Sequence, residues 1–338
     1  MSNSPNIPTL FDVAREAGVS TATVSRCLNE KQKVSQKTLD HVMKTIEALG
    51  YTPNFNARAM AAKRTNTIGA IIPTMENAIF ARGLQAFQET LLTHGYTLLV
   101  SSNAYKPQLE EEQIRTLVAR GVDGLLLIGY ERPPEIYSYL ERRGIPFILA
   151  WITLADQDHP SVGFDNCAAM RMLADKVLSM GHRKIGYISG IIEGNDRARG
   201  RLEGVRESLA AHGLDPDNLP VIETAYEVET GAQAFEAMMQ ADPKPTVVMC
   251  GNDVLAAGAI GKAKQMGLRI PDDVSITGFD DIELASILDP SLTTIHVPHR
   301  LMGGTAAQEL ITMIEEQSSG VRRTLDVRLE LRESLQAV

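Results

Sequence analysis

Residues Leu10–Asn29 read LFDVAREAGVSTATVSRCLN, and the N-terminal architecture follows from this segment. Thr9 stands three residues before Asp12, a capping-box start with Asp in place of Glu. A helix through Ala17 is expected from there. Gly18-Val19-Ser20 interrupts it, and Ser20 is placed to cap a second helix, Thr21 to Leu28. Ala14 is small enough for the two helices to approach, Gly18 supplies the turn, and Val24 packs one on the other. The spacing is that of a helix-turn-helix, although a plain helical hairpin has the same triplet. Ser35 caps a third expected helix with the apolar face Leu39, Val42, Met43, Ile46 and Leu49, which Gly50 ends in a left-handed conformation.

Outward from this head, Tyr51-Thr52-Pro53-Asn54 stops the helical pattern. Asn54 to Lys63 is rich in alanine but too short to hold a helix alone, so it reads as a linker that becomes helical in company. From Thr67 short apolar runs alternate with amphipathic segments. The expected strands are Thr67–Pro73, Thr97–Ser102, Asp123–Gly129, Ile145–Trp151, Lys184–Ser189, Pro220–Thr224, Thr246–Gly251 and Val274–Phe279. Between them lie helix-length segments such as Ile79–Thr93, Glu110–Ala119, Asn166–Met180, Arg199–Ala211, Thr230–Gln240 and Val254–Met266. This alternation implies parallel sheets covered by helices. Two runs of four strands, dividing near His159–Asp165, suggest two similar α/β lobes with a ligand crevice where the strand C-termini converge.

Composition sets the limits. At 338 residues the chain needs more than one core, and 44% hydrophobic with 22% charged residues is globular usage. The net charge of −9 is uneven. Through Arg64 there are 9 Lys and Arg against 5 Asp and Glu; the remainder has 24 against 37. A basic head on an acidic body presents one part that phosphates attract and another that they repel. Cys27, Cys167 and Cys250 form no C-x-x-C pair, which suits a reducing compartment. No run is long and apolar enough for a bilayer, and the start lacks the basic and apolar parts of an export signal, so a cytoplasmic location is expected.

The segment TLFDVAREAGVSTATVSRCLN followed by VSQKTLDHVMKTIEALGYTPNFNARAMAAKRTNTIGAIIP closely resembles the lactose-repressor (LacI/GalR-type) family of bacterial regulators. The resemblance continues through GVDGLLLIG, GHRKIGYISG, RLEGVRESLAAHGL and GNDVLAAGAIGKAKQMGLRIPDDVSITGFDD to the closing helix, and so covers nearly the whole chain. It implies a helix-turn-helix DNA-binding headpiece (1–53), a hinge helix (54–65) and a two-lobed sensor resembling type I periplasmic binding proteins (66–338). It also implies a homodimer on palindromic operator DNA, controlled by a small polar effector.

Carried over by residue, the resemblance puts Thr21, Ala22 and Arg26 at base-reading positions of the recognition helix. Arg26 suits a bidentate pair with guanine, and Thr21 or Ala22 a thymine methyl. Thr9, Ser20, Thr23, Ser25, Asn29, Ser35 and Thr38 fall at phosphate-contacting or capping positions. Asn54, Ala57 and Met60 belong to the hinge, with Met60 at the place of the minor-groove wedge, usually leucine. In the sensor the resemblance points to Ile79, Phe80, Trp151, Arg201, Tyr226, Asn252 and Asp280 as effector contacts. Asn252-Asp253 and Asp280 also read as strand-end caps, and Trp151 as packing where many relatives have aspartate. Asn103–Glu112 and IIPTMENAIFARGLQ are similar to gluconate-type repressors, so a sugar acid ranks first as effector, then a neutral sugar, then a nucleobase.

Other motifs lead nowhere. Gly303-Gly304-Thr305 lacks the surrounding phosphate-loop pattern, and no nucleophile elbow or triad order is present. His296 and His299 flank Val-Pro without a ligand cluster in sequence, and no metal or other cofactor is expected. A transporter's solute-binding protein shares the two-lobed body but has no use for residues 10–29. No heptads follow the sheet residues around Arg323–Leu331, so a dimer rather than a tetramer is expected.

Overall fold

A computed structural model describes residues 7–52 and 64–338. The chain divides into two compact units, Met1–Thr65 and Asn66–Val338. In the first, helix α1 (Leu10–Glu16) opens on a full capping box: the Thr9 side chain accepts from Asp12 N while the Asp12 carboxylate accepts from Thr9 N. Gly18 takes φ +62° at the turn. Ser20 accepts from Thr23 N to start α2 (Thr21–Asn29), and Ser35 accepts from Thr38 N to start α3 (Gln36–Leu49). Gly50, at φ +62°, ends α3 as expected. Val13, Ala14, Ala17, Val24, Cys27, Val42, Ile46 and Tyr51 form the core of this unit.

One expectation for this unit needs correcting. Met43 is 37% exposed rather than on the apolar face of α3. It lies about 100° around the helix from Val42, and two short partner helices cover only a narrow arc. Thr45 is buried instead, with its hydroxyl donating to the His41 carbonyl.

The second unit has two lobes. The first lobe is built from β1 (Thr67–Ile72), α4 (Ala78–Thr93), β2 (Thr97–Ser102), α5 (Pro107–Ala119), β3 (Gly124–Ile128), α6 (Pro134–Arg143), β4 (Phe147–Ala150) and β5 (Ser161–Gly163). The second contains α7 (Asn166–Ser179), β6 (Ile185–Gly190), α8 (Asp196–Ala211), β7 (Val221–Thr224), α9 (Val228–Met238), β8 (Val247–Cys250), α10 (Asp253–Gln265), β9 (Ser275–Thr277) and α11 (Glu283–Ile287). Four elements follow: β10 (Thr294–His296), α12 (His299–Glu316), β11 (Arg322–Thr324) and β12 (Arg328–Glu330). The first sheet has the order β11-β5-β4-β3-β1-β2 and the second β7-β6-β8-β9, each with parallel pairing. The continuous burial of β1, β3, β4, β6 and β8 is what helices on both faces impose.

The expected division into two runs of four strands is too simple. β5 adds a fifth strand to the first sheet before the chain crosses to the second lobe. The chain then returns through α12 and β11, and crosses again so that β12 pairs antiparallel with β10. Short strands such as β5 and β10 have too few residues to show a periodicity, which is why the pattern of apolar runs passes over them.

Helices α4 and α12 pack so closely that a Cβ on Gly303 would lie 1.9 Å from the Gly83 carbonyl oxygen. A Cβ on the neighbouring Gly304 would meet nothing nearer than the Thr90 hydroxyl at 3.6 Å. The contact decides the sign of two substitutions that helix propensity alone treats alike. Gly303→Ala is expected to lower unfolding free energy by about 2 kcal/mol or more, from overpacking. Gly304→Ala should leave it unchanged or raise it by about 0.5–1 kcal/mol, the helix preference for alanine. Urea denaturation of both variants is the check; equal effects of the same sign would contradict the packing argument.

Candidate functional site

Parallel sheets gather their strand C-termini on one edge, and in this sensor both edges open on one crevice. Asn77, Ile79 and Phe80 come from the start of α4 beyond β1, Tyr105 from the loop after β2, and Trp151 from the end of β4. Phe164 and Asn166 lie on the crossing between lobes. Asn195, Arg197 and Arg201 come from the start of α8, Tyr226 follows β7, Asn252 follows β8 and Asp280 follows β9. Together they line one narrow pocket between the two sheets' C-terminal edges.

Arg201 is 6% and Asp280 3% exposed. Arg201 Nη1 donates to the Gly251 carbonyl at 2.8 Å and lies 4.0 Å from Asp280 Oδ1, while its guanidinium sits 4.6 Å over the Phe279 ring. Burial pushes the Asp280 carboxyl up to about 7, with Arg201 opposing. At that separation the cation offsets only part of the cost of drying the carboxylate. A solute hydroxyl donating to Asp280 would supply what the cleft does not.

Trp151 is held from behind. It takes φ +64°, stands at 59° to the Phe80 ring, and its ring leaves no room for a Cβ on Gly83. Its indole N–H donates to His299 Nδ1 at 3.2 Å. Indole nitrogen is only a donor, so His299 accepts at Nδ1 and its Nε2–H donates to the Asp280 carbonyl at 3.3 Å. The neutral tautomer agrees with burial pushing the His299 imidazole down to about 3, against the opposing hydrogen bond to Asp280. The Trp151 ring therefore lines the cleft while its polar atom is occupied.

The seven residues named from sequence, Ile79, Phe80, Trp151, Arg201, Tyr226, Asn252 and Asp280, all lie at this cavity. Asn252 also has its bland role, since its Oδ1 accepts from Leu255 N at 2.9 Å to cap α10. Asp253 is inward: its carboxylate accepts from Thr294 Oγ1 at 2.6 Å and Ile282 N at 2.8 Å. Asn77, Tyr105, Phe164, Asn166, Asn195 and Arg197 were not named. Tyr105 sits at φ +57° in a loop, where no periodicity points to it. Asn166 donates to the Trp151 carbonyl at 3.0 Å, and its buried Oδ1 has no partner among the described residues. His296 has the company its sequence neighbours do not reveal. It lies with Asp281 and Glu330, which Arg332 and Arg328 already pair.

In the N-terminal unit, Ala22 and Arg26 are exposed and Thr21 half-buried along α2, and Arg26 makes no side-chain bond among the described residues. Thr9, Ser20 and Ser35 serve as caps, with Ser20 also 2.9 Å from Thr23 Oγ1 and Ser35 2.8 Å from Thr38 Oγ1. Asn29 Nδ2 donates to Ser25 Oγ at 3.4 Å. Asn54, Ala57, Met60 and the expected hinge helix lie outside the described residues. Cys27 is fully buried, and burial raises its thiol pKa, which makes it packing rather than a reactive group.

A helix-turn-helix head and a two-lobed crevice define a ligand-responsive DNA-binding protein. Residues 9–54 match the bacterial regulatory proteins of the lacI family, and residues 65–329 the periplasmic binding proteins and sugar binding domain of the LacI family. Catabolite control protein A of Priestia megaterium is 31% identical over 329 residues, 96% of this chain and 98% of its own. The HTH-type transcriptional repressor PurR of Klebsiella pneumoniae is 34% identical over 309 residues, 90% of each chain. The lac repressor dimer solved with operator and the anti-inducer ONPF superposes with a TM-score of 0.86 at 27% identity, covering 98% of this chain and 99% of that one. The chain belongs to the lacI family of bacterial regulatory proteins. It is a DNA-binding transcriptional regulator controlled by a small-molecule effector. No helix among the described residues is long and apolar enough to cross a membrane.

The two buried titrating groups act oppositely on stability. His299 has its folded pKa below the ordinary 6.5, so its contribution is complete above 6.5 and is lost as pH falls toward about 3. Asp280 is raised from 3.8 to about 7, so its contribution is complete below 3.8 and is lost as pH rises through 7. Comparing wild type with His299→Gln isolates the first effect. The stability advantage of wild type should shrink by about 1.4 kcal/mol per pH unit on acidification below 6. Urea midpoints from pH 7 to 4.5 measure it, and a constant gap would show that His299 is not held neutral.

Proposed function

We propose that the chain is a cytoplasmic, non-enzymatic repressor that acts as a homodimer on palindromic operator DNA and responds to a small polyhydroxylated metabolite in the crevice, a sugar acid first. Its working parts are a headpiece over 1–53, a hinge over 54–65 and a sensor over 66–338. Arg26, Thr21 and Ala22 read base edges, while Thr9, Ser20, Thr23, Ser25, Asn29, Ser35 and Thr38 set register on phosphates. Asn54, Ala57 and Met60 act at the central minor groove. The observation that carries the effector half is the convergence of Arg201, Asp280, Asn252 and Tyr226 with the aromatic wall of Phe80 and Trp151. Fixed donors and acceptors beside ring faces suit hydroxyls on an apolar carbon frame.

Effector binding favours one closure of the lobes, which shifts the separation of the two hinges and so the operator affinity. The coupling is reciprocal, and operator DNA changes effector affinity by the same factor. Selection of bound duplexes from random DNA, followed by a metabolite screen for altered binding, tests the whole reading. Arg26→Ala is expected to cost about 1–3 kcal/mol at one base position and relax preference there. Arg201→Ala and Asp280→Ala should keep operator binding but weaken the effector response by about tenfold or more. Unchanged base preference in the first, or a normal response in both others, would remove the respective assignment.

A further inference from the structure

The lobes of the sensor meet at one place where a charged side chain from one is received by bare backbone of the other. Asp196, the first residue of α8 in the second lobe, has its side chain 11% exposed. Its Oδ2 accepts from the amides of Tyr130 and Glu131, in the loop leaving β3 of the first lobe; the Glu131 bond is 3.0 Å and the Tyr130 bond is very short. Its Oδ1 accepts from Arg197 Nη1 at 2.8 Å, and Arg197 lines the crevice. Successive backbone amides aimed at one carboxylate form an anion-binding nest.

Gly129 permits the approach. It takes φ +81°, and a Cβ there would fall 2.1 Å from Arg197 Nη1 and 2.6 Å from Asp196 Oδ1. Helix capping does not account for Asp196, because Asn195 already caps α8 through Ala198 N. The other charge pairs between the lobes are more exposed: Arg199 with Glu131 at 2.8 Å, and Arg82 with Glu283 at 2.7 Å. Solvated pairs of that kind contribute little.

We propose that Asp196 is the positioning residue that makes effector binding and lobe closure one event. In the closed sensor its carboxylate is held by the Tyr130 and Glu131 amides and in turn fixes the Arg197 guanidinium at the crevice wall. With the lobes apart, those amides turn to water and Arg197 loses its anchor. This rests on the reading of the crevice as the effector site.

The test uses the full chain and two readouts, with Asp196→Ala, Asp196→Asn and Arg199→Gln. Without added ligand, amide hydrogen exchange at Tyr130 and Glu131 should quicken by about tenfold or more in Asp196→Ala, less in Asp196→Asn, and stay near wild type in Arg199→Gln. Unchanged exchange in Asp196→Ala overturns the proposal. In the second readout gluconate serves as the sugar-acid probe, followed through Trp151, the single tryptophan. Asp196→Ala should weaken gluconate binding by about tenfold or more. Gly129→Ala should do the same by blocking the approach. Faster exchange with gluconate affinity unchanged would refute the coupling. If gluconate leaves wild-type fluorescence unchanged, the sugar-acid reading falls, and the exchange arm alone decides the role of Asp196. Circular dichroism distinguishes loss of the latch from loss of the fold.

Discussion

The sensor depends on keeping charged groups dry without pairing them fully. Arg201 and Asp280 are both buried at the crevice, yet their nearest charged atoms are 4.0 Å apart. A tight bidentate pair would leave each group little left to offer a solute. Isolation of either would cost more than a domain of ordinary stability tolerates. The arrangement lies between: Arg201 is steadied by a backbone carbonyl and the Phe279 face, while Asp280 keeps unspent acceptor capacity. That residual demand is what a small molecule in the crevice would meet.

The supports of this pair come from across the fold. The Asp280 carbonyl receives the His299 imidazole, which receives the Trp151 indole, so β4, β9 and the start of α12 are joined by one chain of hydrogen bonds. Trp151 can sit there only because Gly83 leaves space for its ring, and α4 can lie against α12 only because Gly303 has no side chain. The same close packing thus serves two ends. It closes the core of the first lobe and sets the wall of the crevice.

Much of this is legible in the amino-acid sequence alone. Thr9, Ser20, Ser35 and Gly50 mark the helix ends of the head because capping is local chemistry, written within three or four residues. The long strands and helices show as periodic apolar runs. The short strands β5 and β10 do not, and β11 and β12 show only as sheet residues without a sheet to join, because their placement comes from which lobe the chain has reached. The same distinction separates the crevice residues. Asn252 and Asp280 stand at strand ends, where topology points to them, whereas Tyr105 and Arg197 arrive by loop conformation and by a partner 66 residues away in sequence from Tyr130. Sequence position carries no trace of such a meeting.

The repeated passage of the chain between lobes has an evolutionary side. Neither lobe is an uninterrupted stretch, since α12 and β11 return to the first after the second has been built. A single recombination event inside the sensor therefore joins half of one sheet to strangers and ruins both cores. The reading head is different, being one continuous piece at the start of the chain. One crossover between the units would exchange the whole head and leave the sequence of the sensor unchanged, so target site and signal can change separately.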